Sequence, residues 1–452
     1  MVKLQLIPTR GHVPDKMIKK LAHDTFASLK VRNFRIYFAG LIISHSGAWM
    51  QTVAFGWLAL QMTGSGAQLG AIIAVQFLPL LVFGSWAGVL VDRLDKRRVV
   101  SLSQWAAAIV ALAMSWVIWA GWASVAALYI FALISGFVRI FDNVGRQTFV
   151  FEMVDEKLLK NAISLNSVCI NIARVVGPTI GGFAILAFGI PASFFLNGIF
   201  YLAVIVTMLF IRESELHHRA RAPKKAGQLA EGFRYAWTTP LIRDTLFLVL
   251  ILGTFTFEWQ VSLPLFAERT FAGGAESYAA LMSAFGAGAI FGGLFAASRH
   301  KISPHVFVLS VFLFGISIVI TSFLPTLGYA LIGMGAVGFF AISVMSTANS
   351  MIQLEAEPHM RGRVMALWTI AMQGSTPIGG PIVGIIGQYL GARWSLGIGG
   401  VAALIAAAIA AYPLLRKEKT YVVPEGVRVE SEAAASGERV EVEEIFGETG
   451  RG

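Results

Sequence analysis

Twelve stretches of this chain are each long and apolar enough to cross a bilayer, a crossing that takes roughly 20 mostly hydrophobic residues in a helix. They run near 34–61, 67–91, 99–119, 122–145, 162–188 and 192–211. After a polar interruption they resume near 245–267, 277–297, 304–323, 327–350, 364–389 and 393–415. A soluble fold cannot accommodate this pattern. Apolar residues make up 56% of the 452 and charged residues 14%, against roughly a quarter charged in soluble domains. With so few charges, most of the surface has to face lipid. The chain reads as an all-α polytopic membrane protein of twelve transmembrane helices. The single Cys169 forms no internal disulfide.

The basic residues fix an orientation. Thirty-two of the 36 Lys and Arg fall in segments 1–35, 92–98, 146–160, 212–243, 299–301, 361–363 and 416–452. Cytoplasmic segments gather such residues, and these seven alternate with the spans so that both termini lie inside. The opposite turns (TGSG, AGWAS, GIPAS, LPTLG, GARW) are short and nearly uncharged. The formal charge of +10 therefore serves topology and anionic lipid headgroups, and no nucleic-acid partner is expected. No compact apolar core with a small-residue cleavage site occupies the stretch from Met1 to Lys30, so the first span is expected to act as its own uncleaved insertion signal. The expected location is a cell membrane.

Five regions follow: an N-terminal segment 1–33, a six-helix half 34–211, a linker 212–243, a second half 244–416 and an acidic tail 417–452. Within the linker, Leu229, Phe233, and Ala236 with Trp237 recur at helical spacing opposite Glu231 and Arg234, which predicts a short interfacial helix strapped to the surface. From Thr420 the tail holds eight acids, three Arg and few large apolar side chains, a composition expected to stay disordered. Near span 5 the chain reads EKLLKNAISL and then GPTIGG; near span 11 it reads PHMRGRVMAL and then TPIGGP. Duplicated halves around a pseudo-axis are a recurring transporter plan, with the site where they meet.

Span 2 ends in Gly88-Val-Leu-Val-Asp92-Arg93-Leu-Asp95-Lys96-Arg97-Arg98. Glycine four residues before an acid at a helix end permits close approach of a neighbouring helix, whose positive N-terminus the acid faces. Asp142, on span 4, is the expected partner of Arg93 or Arg97. The G-x-x-x-D-R-x-x-[KR]-[RK] spacing resembles the signature loop of the major facilitator superfamily, with Asp95 where that family usually has glycine. The resemblance implies two pseudo-symmetric six-helix halves and alternating access. Gly177-Pro178-Thr-Ile-Gly181-Gly182 is similar to an element of its drug/proton antiporters, where proline bends the helix and the glycines let it cross a partner closely. FRIYFAG and WMQTVAFGWLAL in span 1, FDNVGRQ after span 4 and RGRVMALW before span 11 resemble the enterobactin-exporter group, also called transmembrane secretion effectors. That group exports siderophores or drugs, and lysophospholipid transporters are near relatives. Relatives often carry an acid in span 1 where this chain has Ala48, so a proton site there is not implied.

A charge in the bilayer core is expensive and marks a functional candidate. Thr245 to Glu258 in span 7 and Asn161 to Arg174 in span 5 are equal lengths of chain. At about 1.5 Å of rise per residue each places its charge at a depth of ~20 Å, which permits an ion pair. Alternation between a wet cavity and contact with Arg174 or substrate would let Glu258 bind a proton outside and release it inside. His45, midway along span 1, is a second candidate relay. Arg139 and Arg146 flank Asp142 at helical spacing and read as gating pairs near the cytoplasmic end. Trp49, Gln51, Gln76, Trp259, Gln260, Asn349, Trp368 and Gln373 gather at mid-span, a set that suits an amphipathic ligand with ring systems.

No G-x-x-x-x-G-K-[ST] loop, H-E-x-x-H or paired cysteines occur. Neither a cofactor, a metal site nor an enzymatic activity is expected; the proton gradient is the expected energy source. The leading reading is a monomeric secondary exporter of small amphipathic, drug- or siderophore-like molecules by proton antiport. The alternatives are a lysophospholipid transporter and a non-transporting receptor or scaffold that acts through the acidic tail.

Overall fold

The computed structural model describes residues 26–217, 228–299, 301–415 and 421–422, apart from some side chains within them. Most of the expected N-terminal segment, the linker stretch 218–227 and all but two residues of the tail lie outside the described residues.

Fifteen α-helices follow one another among the described residues. The first six are α1 (Arg32–Thr63), α2 (Gly66–Arg93), α3 (Lys96–Trp119), α4 (Val125–Met153), α5 (Glu156–Phe188) and α6 (Ile190–Leu209). Then come α7 (Gln228–Thr238), α8 (Pro240–Phe255), α9 (Trp259–Phe271), α10 (Ala275–Ala297), α11 (Pro304–Phe323), α12 (Leu327–Glu355), α13 (Arg361–Gln373), α14 (Thr376–Tyr389) and α15 (Ala392–Leu415). Ten helical stretches are long and apolar enough to cross a membrane, α8 and α9 counting as one. The two remaining passes are α1 and the α13–α14 pair, which makes twelve. Side chains of Ser65, Asp95, Ser124, Ser303 and Thr326 accept from the backbone N–H three residues on and start α2, α3, α4, α11 and α12. Asp95 thus has a local task where a glycine would have none.

Helix pairing repeats across the chain. In the first half α1 lies on α5, α2 on α4 and α3 on α6; in the second, α8 and α9 lie on α13 and α14, α10 on α12 and α11 on α15. Each pairing recurs six spans later, which is the pseudo-symmetry in physical form. The halves meet along two further equivalent seams, α2 against α14 and α5 against α10. At the first, a Cβ on Gly70 would strike the Gly380 carbonyl, and one on Gly384 would strike that of Gly66. Only glycine lets the backbones lie so close.

Two crossings are broken, which apolar runs alone do not announce. Pro377 has no N–H to offer the carbonyl four residues back, and the helix stops at Gln373 and restarts at Thr376. In the other break, Thr256 and Phe257 both donate to the Leu252 carbonyl, at 2.8 and 3.0 Å, and the chain re-enters a helix at Trp259. By contrast α5 runs unbroken through Pro178. There Gly177 and Gly181 let it rest on Ser46, Trp49 and Met50 of α1, while Gly182 faces Ala279 of α10.

At the face bearing the linker, Arg97 reaches Glu213 at 3.4 Å and the Met208 carbonyl at 3.1 Å. Helix α7 is held there by Glu231 to Arg363 at 2.7 Å, with Phe233 and Trp237 stacked at 5.9 Å and exposed; the Leu229 side chain lies outside the described residues. Of the tail, Tyr421–Val422 forms a short antiparallel pair with Lys301–Ile302, a local order not expected from its composition.

At the opposite face Arg269 donates to the Gly64 carbonyl at 2.7 Å and to Gln388 Oε1 at 3.1 Å, and Gly66 N–H donates to the same Gln388 oxygen at 2.9 Å. Replacing Gly70 by Leu overpacks the α2–α14 seam and is expected to cost about 1–3 kcal/mol. A lower unfolding temperature of the detergent-solubilised protein checks this; an unchanged transition would mean the seam is loose.

Candidate functional site

Glu258 occupies the last position of the break between α8 and α9, with its own carbonyl accepting from Ser262 N–H at 2.9 Å. Its side chain is 3% exposed and points across to the other broken crossing. There the carboxyl lies beside the Thr376 side chain, at the first turn of α14, and over Gly379 and Gly380. Side chains at those glycines would fill its place. Oε1 has no hydrogen-bond partner. A helix N-terminus presents unpaired N–H groups and a partial positive charge to such a group. One carboxyl therefore stands at both interruptions.

Arg174 does not pair with it. The guanidinium lies over the Trp49 ring at 5.3 Å, with its Nε unpartnered. Equal depth along two helices fixes height and leaves azimuth open, so the permitted Glu258–Arg174 pair does not form in this conformation.

The second polar centre is on the first half. Asp142 accepts from Arg146 Nε at 2.8 Å and from Gln104 Nε2 at 2.5 Å. Arg146 also donates to Ser44 Oγ at 2.6 Å and leaves Nη1 buried without a partner. The expected pairing of Asp142 with Arg93 or Arg97 is corrected by this. Arg97 turns to Glu213, Arg93 is exposed, and Asp142 is claimed one helical turn away on its own helix. Gly88 and Asp92 belong to α2, and the Asp92 side chain lies outside the described residues. Arg139 is equidistant in sequence from Val125 and Met153, so it is at the middle of α4 and not near its end. It is exposed and lies over the Phe77 ring at 4.7 Å. His45 is half-buried on α1, near Arg146.

The mid-span aromatic and amide set divides. Trp259 is 7% exposed and packed among Phe257, Phe285 and Phe314, which makes it core and removes it from the cavity candidates. Gln51 accepts from Asn197 at 2.5 Å, and Asn349 accepts from Gln353 at the same distance. Gln76 and Gln260 are half-buried, Trp368 packs against two apolar clusters, and Gln373 is exposed at the α13–α14 break. Charge and aromaticity missed Ser44, Gln104, Asn197 and Thr376. Their only sequence signal is a small polar side chain on an otherwise apolar face. Replacing Asp142 by Asn leaves Arg146 as an uncompensated buried cation, an expected loss of about 3–5 kcal/mol. Denaturant or thermal unfolding of Asp142→Asn measures it, and Asp142→Leu combined with Arg146→Met should recover most of the loss.

A family model described as transmembrane secretion effector matches residues 23–431. The staphyloferrin A transporter of Staphylococcus aureus is 22% identical over 375 residues, covering 82% of this chain and 93% of that protein. The multidrug efflux pump Tap of Mycolicibacterium fortuitum is 27% identical over 373 residues, 78% of this chain and 90% of its own. Among solved structures, a bacterial homolog to the human lysosomal transporter Spinster, inward-facing and unoccupied, is similar with a TM-score of 0.69 at 14% identity. The match covers 85% of this chain and 98% of that one. Since the family match spans well over half of the sequence, the chain belongs to the transmembrane secretion effector family, within the major facilitator superfamily.

Proposed function

We propose that this protein exports small amphipathic molecules from the cytoplasm by alternating access, driven by protons moving inward. The observation that carries this reading is Glu258, a buried carboxyl at the breaks of two crossings that belong to the same half and pack on each other. Broken helices can change the angle between their pieces without unfolding either one. Movement of α9 against α14 changes what the carboxyl faces, and with it whether the proton is held or released. In this reading the linker face is cytoplasmic, the ties of Arg269 and Gln388 form the outer gate, and the polar centre around Arg146 lies on the substrate path. The export class rests on family membership and on relatives that are a multidrug efflux pump and a siderophore transporter.

A second reading has one observation in its favour. A cleft of about 450 Å³ opens between α5 and α10, lined by Thr179, Phe183, Leu186, Glu276 and Ser283, with Phe183 and Leu186 highly exposed. Such a lateral opening suits a lipid-like substrate that enters from the bilayer. Uptake of lysophospholipid with no proton movement would favour it.

Inside-out vesicles with an imposed proton gradient and a pH-sensitive dye test the main reading. Substrate-induced proton leakage is expected with the wild type and absent with Glu258→Gln; equal transport by that variant at every pH would sink the coupling role. The gate makes a separate prediction. Leu265 is fully buried against Gly66 and Gly387 at the tied face. Removing a charged donor there with Arg269→Ala should favour the outward-open state by about tenfold. With Cys169 replaced by Ser, faster labelling of Leu265→Cys by an impermeant maleimide from outside reads this; an unchanged rate refutes the gate.

A further inference from the structure

The unpaired charge at mid-membrane is all of one sign on one side of the molecule. Arg139 is at the centre of α4, and Arg174 is close to the centre of α5, near the midpoint between Glu156 and Phe188. Neither pairs with an acid among the described residues; each guanidinium instead lies over an aromatic face, Phe77 at 4.7 Å and Trp49 at 5.3 Å. Asp142, the acid that acts on Arg139, is engaged by Arg146 and Gln104. Arg146 adds a buried Nη1 without a partner, and Arg174 an Nε in the same condition. The acid of the other half, Glu258, is turned away toward α14.

Lipid cannot receive an exposed arginine at that depth; such groups face a bundle interior or a wet cavity. A guanidinium stacked on a ring and free of carboxylates keeps its N–H fork open and its orientation fixed. That is how carboxylate, sulfonate or phosphate is received, with two parallel hydrogen bonds. Helix α1, which supplies Trp49, packs on both α4 and α5, so the helices that carry the two forks both border α1.

We infer that the cavity selects an anionic amphiphile, whose acidic group is received by Arg139 and Arg174 and whose apolar body lies beside the half-buried Trp49. This rests on the export reading for its direction and adds the charge of the cargo. It runs against a lipophilic cation, for which two uncompensated guanidinium groups are a barrier.

The test is binding before transport. Full-length protein in discs of neutral phosphatidylcholine is titrated with 5-carboxyfluorescein and, separately, with rhodamine 6G, empty discs serving as blanks, and anisotropy is read. Wild type should bind the carboxylate dye at least about tenfold more tightly than the cation. Arg139→Gln or Arg174→Gln should each weaken it by about tenfold, the scale of one charged hydrogen-bond partner. The cation's affinity should hold or rise in both variants, which a misfolded protein would not show, and Arg174→Lys should retain part of the carboxylate affinity. Displacement by lysophosphatidylglycerol would locate the source of the anion in the bilayer, and resistance to it in the aqueous phase; both keep the inference. Preference for rhodamine 6G, or carboxylate affinity indifferent to both Gln variants, overturns it. Arginine-dependent binding without uptake into inside-out vesicles would leave this inference standing and remove the export reading.

Discussion

A polar group inside a bilayer has no water to fall back on, and the architecture follows from how each such group is satisfied. Continuous helices satisfy their own backbone, which is why most crossings run as single helices from face to face. Exceptions require something in exchange. Pro377 deprives a carbonyl of its donor and the helix is cut, and the Thr256 hydroxyl, at the other cut, donates to the Gly399 carbonyl at 2.8 Å. The two interruptions then lie side by side with Glu258 between them. Asp142, Arg146, Gln104 and Ser44 obey the same rule differently, by closing a network among four side chains on three helices.

The same constraint explains the glycines. Helices in lipid gain nothing by hiding apolar surface from one another, so they associate through close contact and polar ties. At α2–α14 and α5–α10 the backbones come near enough that a Cβ would collide with a carbonyl across the seam. These equivalent seams join the halves and are where relative rotation would have to occur. The Arg269–Gln388 ties close the first seam at the end opposite the linker face.

Much of the fold was legible in the sequence because membrane helices announce themselves by length. The positions of the spans, the six-span repeat and the short helix Gln228–Thr238 all follow from apolar runs and their punctuation. The break at Thr256–Phe257–Glu258 did not, since it contains neither Pro nor Gly, whereas the other break carries Gly374 and Pro377 as its signal. Partners were the least legible. Asp142 sits one turn from Arg146 on its own helix and far in sequence from Arg93, yet signature-loop spacing drew attention to the latter. Glu258 and Arg174 share a depth, but depth is one coordinate of three. Trp259 shows the converse: an aromatic beside the key acid is core, because its ring points into Phe285 and Phe314. Residues such as Asn197 carry too little chemical signature to be singled out before their neighbours are known.

Charge is distributed between the halves in a way that bears on energetics. The first half carries Arg139, Arg146 and Arg174 against one paired Asp142, and the second carries Glu258. In the proposed cycle a proton travels inward on the second half while an anion travels outward along the first. Both movements carry positive charge in the same direction, inward, so an inside-negative membrane potential drives the two together. Each charge moved through 100 mV is worth about 2.3 kcal/mol, and a cation exported for one proton would forgo that entirely. A wall of unpaired guanidinium groups and a proton-carrying carboxyl are thus complementary parts of one electrical arrangement, in which the pH gradient and the potential act with the same sign.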